Sequence, residues 1–291
     1  MQSKIYRLLI NCFEDNLGDK IPGMDLQLFL ISVKSLVPYE DKVGCFTDIE
    51  RYKKELGLFK LYKNGDDKVI DNYFNSNNLS VEEDKLLESK ILPVVITNTI
   101  WDIQINEVLK IVTMYSINKN TLLDAIIISS AIDVYLSSNN ADCEMINEIT
   151  KERVIGFSLK EFADKNNIIM EKTNFIEFEK ERIRRLTGDA LSDRIKSYKS
   201  IKHILNSVTM ESADCGNESV LSSFSAYLLK LRKGIISPDK LKLPDADIPE
   251  FKEFLKYPSF THPLLGKCKV IKRDDKAIVI RNKSGLIKVN I

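Results

Sequence analysis

The chain has 291 residues, of which 44% are hydrophobic and 29% charged, enough to bury a sizeable core and unlike the composition of a disordered protein. Five cysteines, at 12, 45, 143, 215 and 268, are odd in number, widely spaced and free of any CxxC pair, which argues against a disulfide framework or a zinc site. The net charge of +1 hides a division: Lys and Arg number 2 against 7 Asp and Glu over residues 101–150, 13 against 9 over 151–202, and 8 against 2 over 265–291.

Residues 4–13 and 25–37 read as short amphipathic helices separated by Gly18, Pro22 and Gly23. A helix over 47–57 is expected from Thr47 with Glu50 three residues on, and Gly57 is placed to stop it. Residues 58–78 hold a β-prone run around an NGDD turn at 64–67, and Ser80 followed by Glu83 starts a helix to about Lys90. Residues 1–92 thus form a helical N-terminal region for scaffolding, partner binding or DNA contact.

A second region, 93–206, opens at Pro93. Residues 93–100 (PVVITNTI) are strand-like and 104–117 read as a helix. Capped by Asn120, residues 121–136 (TLLDAIIISSAIDVYL) are apolar around most of a helical circumference and predict a buried helix. Asp124 and Asp133 interrupt it nine residues apart, on opposite sides; Asp124 suits the first-turn dipole and Asp133 a solvated edge.

Residues 141–162 (ADCEMINEITKERVIGFSLKEF) read as a β-hairpin, with strands at 141–149 and 153–162 and a turn at Thr150, Lys151 and Glu152. Antiparallel pairing about that turn sets Asp142 opposite Lys160, with Glu144 and Ser158 on the same face. Carboxylates beside an ammonium there suit a divalent cation and an activated water. The simpler reading of the pair is a cross-strand ion pair.

Two helices follow, at 175–186 and 189–206, and carry Arg182, Arg184, Arg185, Arg194, Lys196 and Lys199, a set suited to gripping phosphates, with Tyr198 and His203 as further contacts. A third region, 207–291, has an amphipathic helix at 218–233 closed by Gly234 and a connection with Pro238, Pro244 and Pro249. A short helix at 249–256 precedes a β-meander from Gly266 to Ile291. The meander's surplus of Lys and Arg suits contact with nucleic acid or a protected sheet edge. His262, beside Pro263, is expected in a loop.

The order of a buried helix, a strand opening on Asp142, a tight turn and a strand closing on Lys160 resembles the PD-(D/E)XK nucleases, in particular the type II restriction endonucleases. The match covers residues 121–162. It implies a restriction-endonuclease-like α/β core within an α+β fold. It also implies Mg²⁺ held by Asp142 and a second carboxylate, with Lys160 orienting the attacking water. Ser158 stands in the second-acid position and Ala141 where the family often has proline, so the second acid would be Glu144, Asp124 or Glu161. The implied activity is Mg²⁺-dependent hydrolysis of DNA phosphodiesters; cutting both strands usually calls for a two-fold dimer. The alternative, from another class, is a non-catalytic protein that binds nucleic acid or a protein partner, its hairpin being structural. Neither a basic start before an apolar run nor about 18 consecutive apolar residues is present, so neither a signal peptide nor a membrane helix is expected and the cytoplasm is the default compartment. Heavy use of Ile, Asn and Lys points to a bacterium, phage or virus.

Overall fold

The computed structural model describes residues 1–16, 21–76, 79–209, 220–237 and 249–290. Gly18, Cys215, Pro238 and Pro244, and what the sequence suggested for them, lie outside the described residues.

The helix α7 (Lys119–Ser137) is apolar on every side, so it is stable only where other helices enclose it. Its residues from Thr121 to Leu136 are all buried. Around it pack α5 (Leu87–Thr97), α6 (Trp101–Tyr115), α8 (Cys143–Gly156), α10 (Lys172–Leu186) and α12 (Lys199–Thr209). On the far side of α5 lie α2 (Met24–Lys34) and α13 (Val220–Arg232), and α1 (Gln2–Phe13) bridges α13 to α12. Shorter pieces complete the helical body: α3 (Ile49–Phe59) on α2, α4 (Lys68–Ser76) on α6, α9 (Leu159–Lys165) on α10 and α11 (Asp193–Lys196) on α7. A small ribbon, β1 (Leu36–Pro38) with β2 (Cys45–Thr47), follows α2. Among the described residues α7 is the helix long and apolar enough to cross a membrane, and 89% of that window is buried inside the protein.

The chain ends in a four-stranded antiparallel meander, β3 (Ser259–His262), β4 (Gly266–Arg273), β5 (Ala277–Asn282) and β6 (Gly285–Asn290), preceded by α14 (Phe251–Phe254). Its inner face supplies Cys268, Val270, Ile278, Ile280, Ile287 and Val289 to the same continuous core as the helices. Helices toward the N-terminus and a small C-terminal antiparallel sheet are thus as the sequence indicated.

Several local expectations are corrected. Residues 93–97, expected in a strand, form the second half of α5, with Pro93 inside it. Val94, Val95 and Ile96 are fully buried because neighbours cover every side, and such an apolar run has the same pattern in a strand as in a helix. Part of the β-prone run forms α4, whose first amides donate to Asp67 at 3.0 Å. Asp48, not Thr47, caps α3, and Gly57 lies within it. Ser80 starts no helix; it bridges to Ser116. Among the described residues, 93–206 carries no strand, so an α/β core is absent there, and the borders at 92/93 and 206/207 fall inside α5 and α12. His262 belongs to β3 and is buried between the rings of Phe251 and Phe254, at 5.2 and 4.8 Å.

Lys90 lies wholly inside the bundle, bonded to Asp84 at 2.6 Å with its ammonium 4.1 Å from the centre of the Tyr115 ring. Buried ions need this completeness of partnering to be tolerated.

Candidate nucleic-acid interface

The 141–162 segment forms the helices α8 and α9, and the hairpin expectation is overturned. Asp142 caps α8, its Oδ1 accepting from the Met145 amide at 2.8 Å. Ser158 caps α9, its Oγ accepting from the Glu161 amide at 3.2 Å. Ser158-Leu-Lys-Glu161 has the spacing of a helix start, and that local chemistry prevails over the strand-like alternation. The 14 residues of α8 separate Asp142 from Lys160 by roughly 20 Å, at 1.5 Å per residue. Asp142, Glu144 and Lys160 are exposed. Ser158 and Glu161 instead line an open cavity of about 460 Å³ with Trp101, Asp102, Arg153 and Phe162.

Asp124, a candidate metal ligand by sequence, is fully buried and serves as an arginine counter-ion. Its Oδ1 accepts from Arg185 at 2.8 Å; its Oδ2 accepts from Arg194 Nε and from the Tyr198 hydroxyl, both at 2.9 Å. Burial, reinforced by the Asp124 charge, pushes the Tyr198 hydroxyl well up from its ordinary pKa. Arg194 also reaches Glu83 at 2.8 Å, and Arg184 and Arg185 share Glu181. Hydrogen bonding from Arg184, then Arg185, holds the Glu181 carboxyl down at about 2 despite partial burial. Asp133 is likewise buried, bonded at 2.8 Å to Arg153, whose guanidinium lies 4.3 Å from the Trp101 ring centre. Both aspartates of α7 therefore fix neighbouring helices through arginine.

The residues read as a Mg²⁺ site do not fit that ion. Both oxygens of Asp124 already face cationic groups, and about 14 residues of α7 set it roughly 21 Å from the corner that leads to Asp142 and Glu144. Among the described residues no group of three or more His, Cys, Asp or Glu side chains is placed to hold a metal.

Of the six cations read as phosphate-gripping, Arg184, Arg185, Arg194 and Lys196 do come together, around an open cavity of about 550 Å³. Their charge is largely met within the chain, by Asp124, Glu181 and Glu83, with Asp193 3.9 Å from Lys196. Arg182 lies apart: it donates to the carbonyls of Ile155 at 3.0 Å and Phe157 at 2.8 Å, closing the C-terminus of α8, and pairs with Glu179. Lys199 reaches Asp15 at 3.3 Å. His203 stands edge-on to Tyr135.

The outer face of the C-terminal sheet is different. Strand alternation and the observed register put Lys267, Lys269, Lys272, Arg281 and Lys288 on one face, all exposed. Lys269 pairs with Arg281, and Lys272 and Lys288 both lie opposite Val279. Asp274 and Asp275 are the sole carboxylates between 259 and 290 and occupy the β4–β5 turn, where Asp274 meets Lys272 at 2.7 Å. A bulge between Val270 and Lys272 creates this face. In a regular ladder Ile271 would share the face of Lys269 and Lys272 would turn inward. The extra residue shifts the alternation, so Lys272 joins Lys267 and Lys269 while Arg273 goes to the opposite face and donates to the Leu255 carbonyl. The count of 8 bases against 2 acids signalled this region in the sequence; which side chains share a face depends on the bulge.

The chain matches no family model, no curated protein and no solved structure.

Proposed function

We propose that this protein binds nucleic acid without cutting it, through the outer face of the C-terminal sheet. The observation that carries the reading is the outward set Lys267, Lys269, Lys272, Arg281 and Lys288, in which Lys269 and Arg281 stand directly opposite each other. The arginines of α10 and α11 are weaker candidates because Arg184, Arg185 and Arg194 converge on Glu181, Asp124 and Glu83, whereas the carboxylates of the sheet are confined to the β4–β5 turn. The restriction-type reading loses its support with the hairpin, since Asp142 and Lys160 sit at opposite ends of α8.

The test is fluorescence anisotropy of a labelled oligonucleotide with the full chain and two variants. Lys267→Glu with Lys269→Glu should abolish binding, and Arg184→Glu with Lys196→Glu should leave it within about threefold if the fold is kept. The reverse ranking would move the interface to the helical cavity. Plasmid incubated with Mg²⁺ or Mn²⁺ should stay intact, whereas cleavage lost in Lys160→Ala would restore the endonuclease reading.

A further inference from the structure

We infer that the sheet takes its nucleic acid single-stranded, with one base stacked on Tyr257 and the adjoining phosphates on Lys269 and Lys267; the inference rests on the nucleic-acid reading above. Tyr257 lies between α14 and β3 and is 62% exposed, and among the described residues it is the one aromatic residue that is exposed. Its neighbours in sequence, Phe251, Phe254 and Phe260, pack on one another and on His262. Tyr257 itself makes no ring contact among the described residues.

The Val270 amide donates to the Pro258 carbonyl at 2.9 Å, which carries the β3–β4 pairing past the end of β3. Tyr257 and Ile271 follow on the two strands, both exposed, at the end of the sheet where the bulge lies. Ser259 stands opposite Lys269 and Thr261 opposite Lys267, so this apolar corner is continued by two ammonium groups about 7 Å apart along β4. Among the described residues Lys267 and Lys269 have no carboxylate partner, whereas Lys272 meets Asp274 at 2.7 Å. A ring at the head of a row of unpaired cations matches a strand with open bases. In a duplex each base is stacked inside the helix and offers its edges to the grooves. A single strand leaves the faces of its bases open, and stacking on an aromatic side chain tolerates any sequence because every base has such a face. Base faces and phosphates are common to DNA and RNA, so the class is a single strand of either sugar.

The experiment measures anisotropy of the full chain with a labelled 20-base DNA strand, the same strand in RNA and the DNA duplex, each at several KCl concentrations. The expected result is binding to a strand at least about tenfold tighter than to the duplex, the tighter of the two strands naming the sugar. Tyr257→Ala should weaken strand binding by at least about fivefold, as for one lost stack, without changing its slope against log[KCl], and Tyr257→Phe should stay within about twofold of the native chain. Lys269→Ala should instead make the strand slope shallower by about 0.7, as for one phosphate, with circular dichroism confirming the fold of each variant. Duplex binding equal to or tighter than strand binding, or strand binding by Tyr257→Ala within about twofold of native, would overturn the single-strand inference and leave the nucleic-acid reading standing. Absence of binding to all three probes would overturn that reading as well.

Discussion

At the scale of single residues, the organising group is Asp124, whose buried carboxylate receives Arg185, Arg194 and Tyr198 from two different segments. Removing one member of a buried ionic set leaves the others desolvated and unpaired, at about 3–5 kcal/mol. Asp124→Asn should therefore lower the urea midpoint by that equivalent, whereas Glu83→Gln, at the exposed end of the network, should cost under about 1 kcal/mol. The sequence marked Asp124 as unusual, an acid inside an apolar helix. It did not show the partners, because Arg185 and Arg194 lie 61 and 70 residues away. His262 is a second residue with a measurable consequence. Burial between two phenylalanine rings, with the charge of Lys34 adding to it, holds its pKa at about 4, below the ordinary 6.5. The unfolded chain therefore takes up this proton first as pH falls. The stability His262 contributes is complete above about pH 6.5 and is lost toward pH 4, on the order of 2 kcal/mol. Thermal melts at steps across that window should show the decline in the native chain and a flatter profile in His262→Phe.

At the scale of elements, capping decides what residues 141–162 become. Asp142→Ala and Ser158→Ala should each destabilise by about 1 kcal/mol, the ordinary worth of an N-cap. Lys160→Ala, on an exposed turn of α9, should stay within about 0.5 kcal/mol. Chemical denaturation of the three variants measures this order; a large loss for Lys160 alone would argue for a role beyond the surface of α9. The sequence held both possibilities in this stretch: alternating Ile155, Phe157 and Leu159 resembled a strand, while Ser158 and Glu161 had the spacing of a helix start. Tertiary packing on α7, through Ile146, Thr150 and Val154, agrees with the helical choice. The same ambiguity governs PVVIT in α5, where burial on every side erases the periodicity that separates helix from strand. The meander was legible because its turns are marked by their own residues, such as the Asn282–Gly285 pair with Gly285 at φ +125.

At the scale of the whole molecule, charge and core are laid out independently. One hydrophobic core runs from α1 to β6, so the sheet is part of the body that α7 organises. The arginines of the middle helices serve mainly to hold that body together, and exposed cations share one face of the C-terminal sheet. A charge count over windows of sequence found both basic regions and could not rank them, because ranking requires knowing which cations already face carboxylates. The chain also carries one tryptophan, Trp101, stacked under Arg153 beside the cavity between α6, α8 and α9. Its indole dominates emission from the protein when excited at the red edge of the aromatic band, which makes it a local optical reporter. Loosening of the corner between α8 and α9 should change its colour and intensity, while an oligonucleotide settling on the outer face of the sheet should leave the spectrum still.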